Sequence, residues 1–195
     1  MTLRIGISGS QGSFSEQATQ RYTQLANITD YTPVYLVSVA NVLDALKNGS
    51  VERGIFPIEN SNGGIVIEAV YAMAKYTFGI ERLFEIDVHH CLLAQKGVNL
   101  RDITTIASHD QALKQCRMYL KRRFPDADLQ EYADTAQSAC DLGKGALPTT
   151  TAVIAPKGCA TLYDLDVLDE SIQDLKFNFT TFVVATCMSQ TVCPG

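Results

Sequence analysis

The chain has 195 residues, 46% hydrophobic and 19% charged, a balance typical of a folded globular protein and not of a disordered or fibrous chain. Sixteen lysines and arginines against 21 aspartates and glutamates leave a net charge of −5, which argues against nucleic acid as the main ligand. The sequence has no apolar run near the ~20 residues of a membrane helix, and its N-terminal apolar stretch is too short for a secretory signal, so we expect a cytoplasmic protein that does not bind membranes.

Short β-rich runs alternate with amphipathic helical segments along the chain, which is typical of an α/β sheet. The first part of the sequence predicts strands at 3–8, 34–39 and 55–58 and helices at 13–25, 39–47 and 65–76. The first of these helices opens with a capping box, since Glu16 follows Ser13 by three residues. Residues 80–95 then form a long extended stretch without turn residues, which predicts a crossover into a second lobe.

The second part of the sequence repeats the same alternation. It predicts strands at 103–107, 129–132 and 151–155 and helices at 110–124, 135–144 and 156–163. A last strand at 183–186 follows an extended segment that starts at Ile172, so we expect it to return to the first lobe. The predicted architecture is two α/β lobes with a cleft between them, lobe 1 at about 1–79 plus 172–195 and lobe 2 at about 80–171.

The sequence lacks the spacing of the common metal and nucleotide motifs. Its six cysteines contain no CxxC pair, and HExxH, GxGxxG and GxxxxGK[ST] are all missing. These patterns do not support a zinc, NAD or ATP site. We interpret the cysteines as reduced thiols, with a Cys187–Cys193 pair as the alternative.

Polar clusters follow the predicted strands at four places, in segments 9–13, 59–64, 108–111 and 134–135. Open α/β sheets bind ligands outside the carboxyl ends of their strands, and helix N-termini bind anions, so the clusters predict a small carboxylate or phosphate ligand. The alternative is that these residues only cap helices. His109, at a helix start, is a better candidate than the adjacent His89 and His90, because neighbouring residues of a strand point to opposite faces.

Several motifs share the order and spacing of one enzyme family from about residue 4 to residue 186. They are GSFSEQA at 12–18, PIENS at 57–61 with Gly64, HHCLLA at 89–94, SHDQAL at 108–113 with Gln115-Cys116, Thr135-Ala136, AVIA at 152–155, IQD at 172–174 and NFTTF at 178–182. Together they resemble the catalytic domain of prephenate dehydratases and the similar plant arogenate dehydratases.

This resemblance implies a single catalytic domain over residues 1–195, with a fold like that of type II periplasmic binding proteins and an active site in the cleft. It implies prephenate as the small-molecule partner, no metal or organic cofactor, and a homodimer. The reaction of the family removes carbon dioxide and water from prephenate to give phenylpyruvate. The chain stops shortly after its last predicted strand, so we do not expect the regulatory ACT domain with which many family members continue.

The resemblance and the polar clusters also indicate individual residues. Thr180 would be the catalytic hydroxyl that donates a proton to the departing ring hydroxyl, with Ser108 and His109 as further catalytic residues. The expected substrate-binding residues are Ser10, Ser13, Asn60, Ser61, Gly64, Gln111, Thr135, Asn178, Thr181 and Phe182.

One position departs from the family pattern, because Thr181 stands where the family motif has an arginine. An arginine binds carboxylates and polarises neighbouring hydroxyls, and a threonine cannot replace it in charge or reach. We therefore expect decarboxylation of prephenate with retention of the ring hydroxyl, as in natural-product pathways. The alternatives are ordinary dehydration of prephenate or arogenate in phenylalanine biosynthesis, and non-catalytic binding of an aromatic acid.

Overall fold

The computed structural model of the protein describes residues 2–188. The described strands are β1 Leu3–Ile7, β2 Tyr31–Tyr35, β3 Arg53–Asn60, β4 Gly64–Ile65, β5 Gly79–Asp87, β6 Cys91–Gln95, β7 Thr105–His109, β8 Asp128–Tyr132, β9 Thr151–Ala155, β10 Leu165–Asp169 and β11 Phe179–Thr186. The described α-helices are α1 Phe14–Leu25, α2 Val39–Lys47, α3 Ile67–Met73, α4 Asp110–Gln115, α5 Arg117–Arg123, α6 Thr135–Gly143 and α7 Gly158–Leu162.

The strands form two sheets, and each sheet is the centre of one lobe. The first has the order β2-β1-β3-β11-β5, with β4 paired to β3, and the second has the order β10-β6-β9-β7-β8. In both sheets three neighbouring strands are parallel and the remaining strands of the path run antiparallel to their neighbours. The prediction of two α/β lobes is confirmed.

Helices cover both faces of each sheet, which is why the central strands are apolar on both sides. In the first lobe α1 packs on one face through Tyr22, and α2 packs on the other through Leu43 and Leu46. In the second lobe α4 and α5 cover one face and α6 covers the other, where Leu142 is fully buried. Each lobe therefore has its own hydrophobic core on both faces of its sheet.

Two chain segments cross between the lobes, the short link from β5 to β6 and the longer link from β10 to β11. They run side by side, since Val88 N–H donates to the Asn178 carbonyl at 2.7 Å and Ile172 N–H donates to the His90 carbonyl at 3.0 Å. The predicted lobe division at about residue 80 lies at the start of β5. This strand pairs with β11 in the first sheet, so the change of sheet comes only after Asp87.

Two elements differ from the predictions for identifiable reasons. The strand predicted at 34–39 ends at Tyr35, because Val37 has a positive φ of 66° and Ser38 already caps α2. The helix predicted at 110–124 is split at Cys116, whose backbone is not helical. The Asp174 carboxylate accepts the backbone N–H groups of Met118 and Tyr119 at the start of α5. A residue from a distant part of the chain therefore caps this second helix.

Within residues 2–188, no helix is long and apolar enough to cross a membrane. In the same range no group of three or more histidine, cysteine or acidic side chains is arranged to hold a metal ion. Among the described residues, no disulfide joins Cys91, Cys116, Cys140, Cys159 and Cys187 to one another. Cys193, the partner in the alternative pairing, and the end of predicted lobe 1 lie outside the described residues.

Candidate active site

A cavity of about 280 Å³ lies between the two lobes. The first lobe lines it with the ends of β1, β3 and β11 and the start of α1, and the second lobe with the starts of α4 and α6. Val88 and His90 of the short crossover complete the lining. The residues expected at the site from the sequence that do line the cavity are Ser13, Asn60, His109, Gln111, Thr135, Thr180 and Phe182.

The start of α1 is shaped by the sequence around Ser13. The Ser13 hydroxyl accepts the Glu16 N–H at 3.3 Å, which is half of the predicted capping box. The Glu16 carboxylate takes the Gly12 N–H at 2.6 Å instead of the N–H of Ser13 itself. The first N–H groups of a helix have no partner within the helix, so α1 presents donors to the cavity beside Ser13.

Asn60, at the end of β3, is the centre of a hydrogen-bond network in the cavity wall. Its Oδ1 accepts the backbone N–H groups of Asn62 at 3.0 Å and Gly63 at 2.8 Å. Because a backbone N–H can only donate, these two bonds determine which end of the carboxamide is oxygen. Its Nδ2 therefore donates, to Asn178 Oδ1 at 2.8 Å and to Thr180 Oγ1 at 2.9 Å.

Two more carboxamides extend this network across the lobes. Gln115, the last residue of α4, donates from Nε2 to Asn60 Oδ1 at 2.9 Å. Asn178, fully buried in the long crossover, donates to the Val88 carbonyl at 3.2 Å and to Gln115 Oε1 at 2.9 Å. Gln115 thus lies directly before the break of the helix at Cys116.

The network leaves the proton of Thr180 available. Thr180 is buried on β11 and lines the cavity, and its oxygen already accepts from Asn60. A threonine hydroxyl has one proton to donate, and within residues 2–188 that proton has no acceptor in hydrogen-bond range. A ligand in the cavity can therefore receive it.

Thr181 points away from the cavity, and its expected contact with the substrate stays a prediction. Successive residues of a strand face opposite sides of the sheet, and Thr180 and Phe182 are the two that line the cavity. The Thr181 hydroxyl lies 3.4 Å from a carboxylate oxygen of Glu85, and Glu59 is its partner on the other neighbouring strand. Even a longer side chain at this position would first meet these two carboxylates.

Ser108 is also outside the cavity lining, and its expected catalytic role stays a prediction. It is fully buried, and its hydroxyl donates to the Ile154 carbonyl at 2.6 Å. That bond joins β7 to β9 beneath the cavity, so the proton of Ser108 is not directed at a ligand. Its neighbour His109 does reach the cavity and caps α4, since its Nδ1 accepts the Gln111 N–H at 3.2 Å.

Four other residues expected to bind substrate support the site from outside the lining. Ser10 donates from its hydroxyl to Asp134 at 2.7 Å, which links the lobes at the cleft. Ser61 accepts the Phe179 N–H at 3.0 Å, and Gly64 provides a positive φ of 75° at the first residue of β4. Asn178 acts through the carboxamide network described above.

The site residues named from the sequence omit Phe14, His90 and Gln115, which all line the cavity. Asp134, which also lines it, was included only as part of the polar cluster at 134–135. His90 and Gln115 lie within quoted motifs, but nothing in the motifs shows which residue faces the cleft. His90 lines the cavity whereas His89 pairs with Asp87 outside it, and both lie in the link between β5 and β6 and not in a strand. Burial lowers the pKa of His90 to about 4.

No lysine or arginine is present among the described residues that line the cavity. Asp134 is the acidic residue in the lining, and its Oδ1 caps α6 by accepting the Ala136 N–H at 2.7 Å. Anionic groups of a ligand would therefore meet helix N-termini and neutral donors rather than a cation.

Comparisons with known proteins agree with this geometry. The sequence model of the prephenate dehydratase family matches residues 5–188. The chain is 33% identical over 184 residues to arogenate dehydratase 5 of Arabidopsis thaliana, a chloroplastic protein, covering 94% of this chain and 42% of that protein. It is 29% identical over 182 residues to the bifunctional chorismate mutase/prephenate dehydratase of Pseudomonas aeruginosa, covering 93% of this chain and 48% of that protein.

Among solved structures, the prephenate dehydratase of Arthrobacter aurescens in complex with L-Phe superposes with a TM-score of 0.86 at 29% identity. That similarity covers 96% of this chain and 61% of the solved chain. The chain spans less than half the length of the two curated relatives.

Proposed function

Since the chain belongs to the prephenate dehydratase family, we propose that it is a lyase that converts prephenate to phenylpyruvate, carbon dioxide and water. This proposal adopts ordinary dehydration, which the sequence alone left as the alternative to decarboxylation. The observation that carries it is the Thr180 hydroxyl, whose proton is free to enter the cavity.

In the proposed reaction the bond between the ring and its carboxylate breaks and carbon dioxide leaves. The electron pair of that bond moves through the diene and expels the ring hydroxyl, so the ring becomes aromatic. Thr180 donates its proton to the departing oxygen, which leaves as water, and solvent returns a proton to Thr180. Positioned proton transfer of this kind is worth ~10²–10⁴ in rate.

The termini of two helices support binding of a dicarboxylate. The start of α1 at Ser13 and the start of α6 at Thr135 face the cavity from opposite lobes. Each offers backbone donors at the positive end of a helix dipole. Prephenate has two carboxylates, and closure of the lobes would bring one helix start to each.

The case for decarboxylation depended on the loss of a cation beside Thr180. Thr181 lies opposite Glu59 and Glu85 on the other face of the sheet, so its replacement of an arginine removes no charge from the cavity. The curated relatives reported above are dehydratases, which supports retention of the dehydration chemistry.

Arogenate is a second candidate substrate. It has a protonated amino group where prephenate has a keto group, so it has one negative charge fewer. The described lining contains Asp134 but no lysine or arginine, and such a lining disfavours the more negative ligand. Assays with both substrates therefore belong in the same experiment.

We expect the protein to convert prephenate or arogenate to the aromatic product in a 1:1 ratio to released carbon dioxide, and Thr181→Arg to leave this ratio unchanged. The arginine would pair with Glu59 and Glu85 on the far face, which stabilises the sheet by about 0.2–1 kcal/mol. Ultraviolet spectra, mass spectrometry and carbon dioxide release measure the products. A product that keeps the ring hydroxyl would overturn the proposed dehydration, and a rise in aromatic product only in Thr181→Arg would restore decarboxylation as the native reaction.

We expect Ser108→Ala to lower the free energy of unfolding by about 1 kcal/mol, because it removes one hydrogen bond to a buried carbonyl. The kcat should stay within about twofold, since the hydroxyl does not face the cavity. Urea denaturation and steady-state kinetics measure the two effects. Ser138→Ala is the matched control, because Ser138 is also fully buried and donates to the Thr135 carbonyl at 2.8 Å. A large loss of kcat in Ser108→Ala with unchanged stability would return Ser108 to the catalytic residues.

The homodimer and the cytoplasmic location expected from the sequence stay predictions. Sedimentation of the purified protein and fractionation of the source cells are the measurements that check them.

A further inference from the structure

His90 is buried where the short crossover meets the carboxamide network, with 4% of its surface exposed. Its Nε2 lies 2.8 Å from Gln115 Oε1, and its ring packs edge-on against Phe14 with ring centres 5.3 Å apart. The backbone of His90 is held as well, since its N–H donates to Gln173 Oε1 at 3.1 Å. These contacts hold both the ring and the backbone of His90 in place.

The network determines which nitrogen of His90 carries the proton. Asn178 must donate from Nδ2 to the Val88 carbonyl, and the same nitrogen donates to Gln115 Oε1. Gln115 Nε2 donates to Asn60 Oδ1. Gln115 thus presents an oxygen to His90, and an oxygen can only accept, so His90 Nε2 carries a proton.

The other ring nitrogen indicates the charge of His90. Within residues 2–188, Nδ1 is buried and has no hydrogen-bond partner. A charged ring would bury a second N–H without an acceptor, which is unfavourable. The packed neighbours Phe14, Gln115 and Gln173 are uncharged, and His89 is the titratable group next to the ring. Burial lowers the pKa of His90 to about 4, which agrees with a neutral ring.

We propose that His90 is a positioning residue for the reaction of Thr180, acting through Gln115 and Asn60. Its Nε2–H and the Asn178 amide together hold Gln115 Oε1 and so turn Gln115 Nε2 toward Asn60. Asn60 in turn directs Nδ2 to the Thr180 oxygen, which keeps the Thr180 proton free for the substrate. His90 thus acts three hydrogen bonds away from the reacting atoms, because it supports the Gln115 bond to Asn60 Oδ1, which adds to the two backbone bonds that already orient Asn60.

This inference rests on the proposed function, and the variants separate positioning from packing. His90→Gln places an amide N–H near the position of Nε2, whereas His90→Leu fills similar space without a donor. We expect His90→Leu to lower kcat about 10- to 100-fold with KM changed less than about threefold, and His90→Gln to keep kcat within about threefold of the native enzyme. His89→Leu, on the same crossover but outside the cavity, is the control.

Nitrogen NMR of the wild-type protein with labelled histidine makes the test independent of turnover. We expect one neutral Nε2–H imidazole that does not titrate between about pH 5 and pH 8, absent from the spectrum of His90→Gln. A charged ring, or the Nδ1–H tautomer, would overturn the inference even if the enzyme forms phenylpyruvate. Equal loss of kcat in folded His90→Gln and His90→Leu, or no loss in either, would also overturn it. Absence of any aromatic product from the native protein would instead refute the proposed function and leave the NMR result to decide the state of His90.

Discussion

Thr180→Val is expected to lower the kcat for aromatic product formation by about 10²–10⁴-fold, the usual worth of positioned proton transfer. Valine has nearly the same shape as threonine and removes only the hydroxyl, so the cavity wall on β11 should stay in place. KM should change little, because the carboxylates of the substrate are proposed to bind at the starts of α1 and α6. Steady-state kinetics on folded protein, checked by circular dichroism, give the result.

Two variants serve as controls for this prediction. Thr181→Val makes the same chemical change one residue along the strand, on the face away from the cavity, and should keep kcat within about twofold. Thr180→Ser retains a hydroxyl and should retain most of the activity. Full turnover by Thr180→Val would contradict the role of Thr180 as proton donor.

Asn60→Asp is expected to lower kcat by about 10²-fold or more, although the two side chains have almost the same size. An oxygen would replace Nδ2, the atom that donates to Thr180 Oγ1 and to Asn178 Oδ1. The new carboxylate would accept the Thr180 proton, which would then no longer point to the substrate. It would also face the Asn178 oxygen without a proton between them, so the free energy of unfolding should fall by about 1–3 kcal/mol.

Asn62→Asp is the matched control, since Asn62 lies in the same turn and its side chain donates to the exposed Phe177 carbonyl. We expect this variant to keep kcat within about threefold. Kinetics and urea denaturation of both variants distinguish the effects. Equal activity of Asn60→Asp and native enzyme would show that Thr180 does not depend on the direction of the Asn60 carboxamide.

Elements whose ends are set by neighbouring residues could be predicted from the sequence. Helix α2 was predicted at 39–47 and has those bounds, because Ser38 caps its start and a turn at Asn48-Gly49 ends it. Strand β9 was predicted at 151–155 and is completely buried there, since each of its side chains faces one of two helix layers. In both cases the physical cause lies within a few residues of the element.

Elements that depend on a distant partner could not be predicted in this way. The strand β10 is short and contains two aspartates, and it forms because β6 offers an edge for antiparallel pairing. The helix break at Cys116 depends on Asp174, which lies more than fifty residues away along the chain. The place of β5 in the first sheet depends on pairing with β11.

The sequence by itself determined the two-lobe α/β class, the family and the segments that meet at the cleft, because hydrophobic periodicity and motif order are local properties. Only the tertiary structure decided which residue of each motif faces the ligand. Thr180 and Thr181 are chemically alike in the sequence, and strand pairing directs one to the cavity and the other to Glu85. The same holds for Ser108, whose hydroxyl donates to the Ile154 carbonyl of the neighbouring strand, and for Gln115, whose amide donates to Asn60. The direction of a side chain depends on strand register and on contacts with residues far along the chain. A local sequence pattern contains neither kind of information.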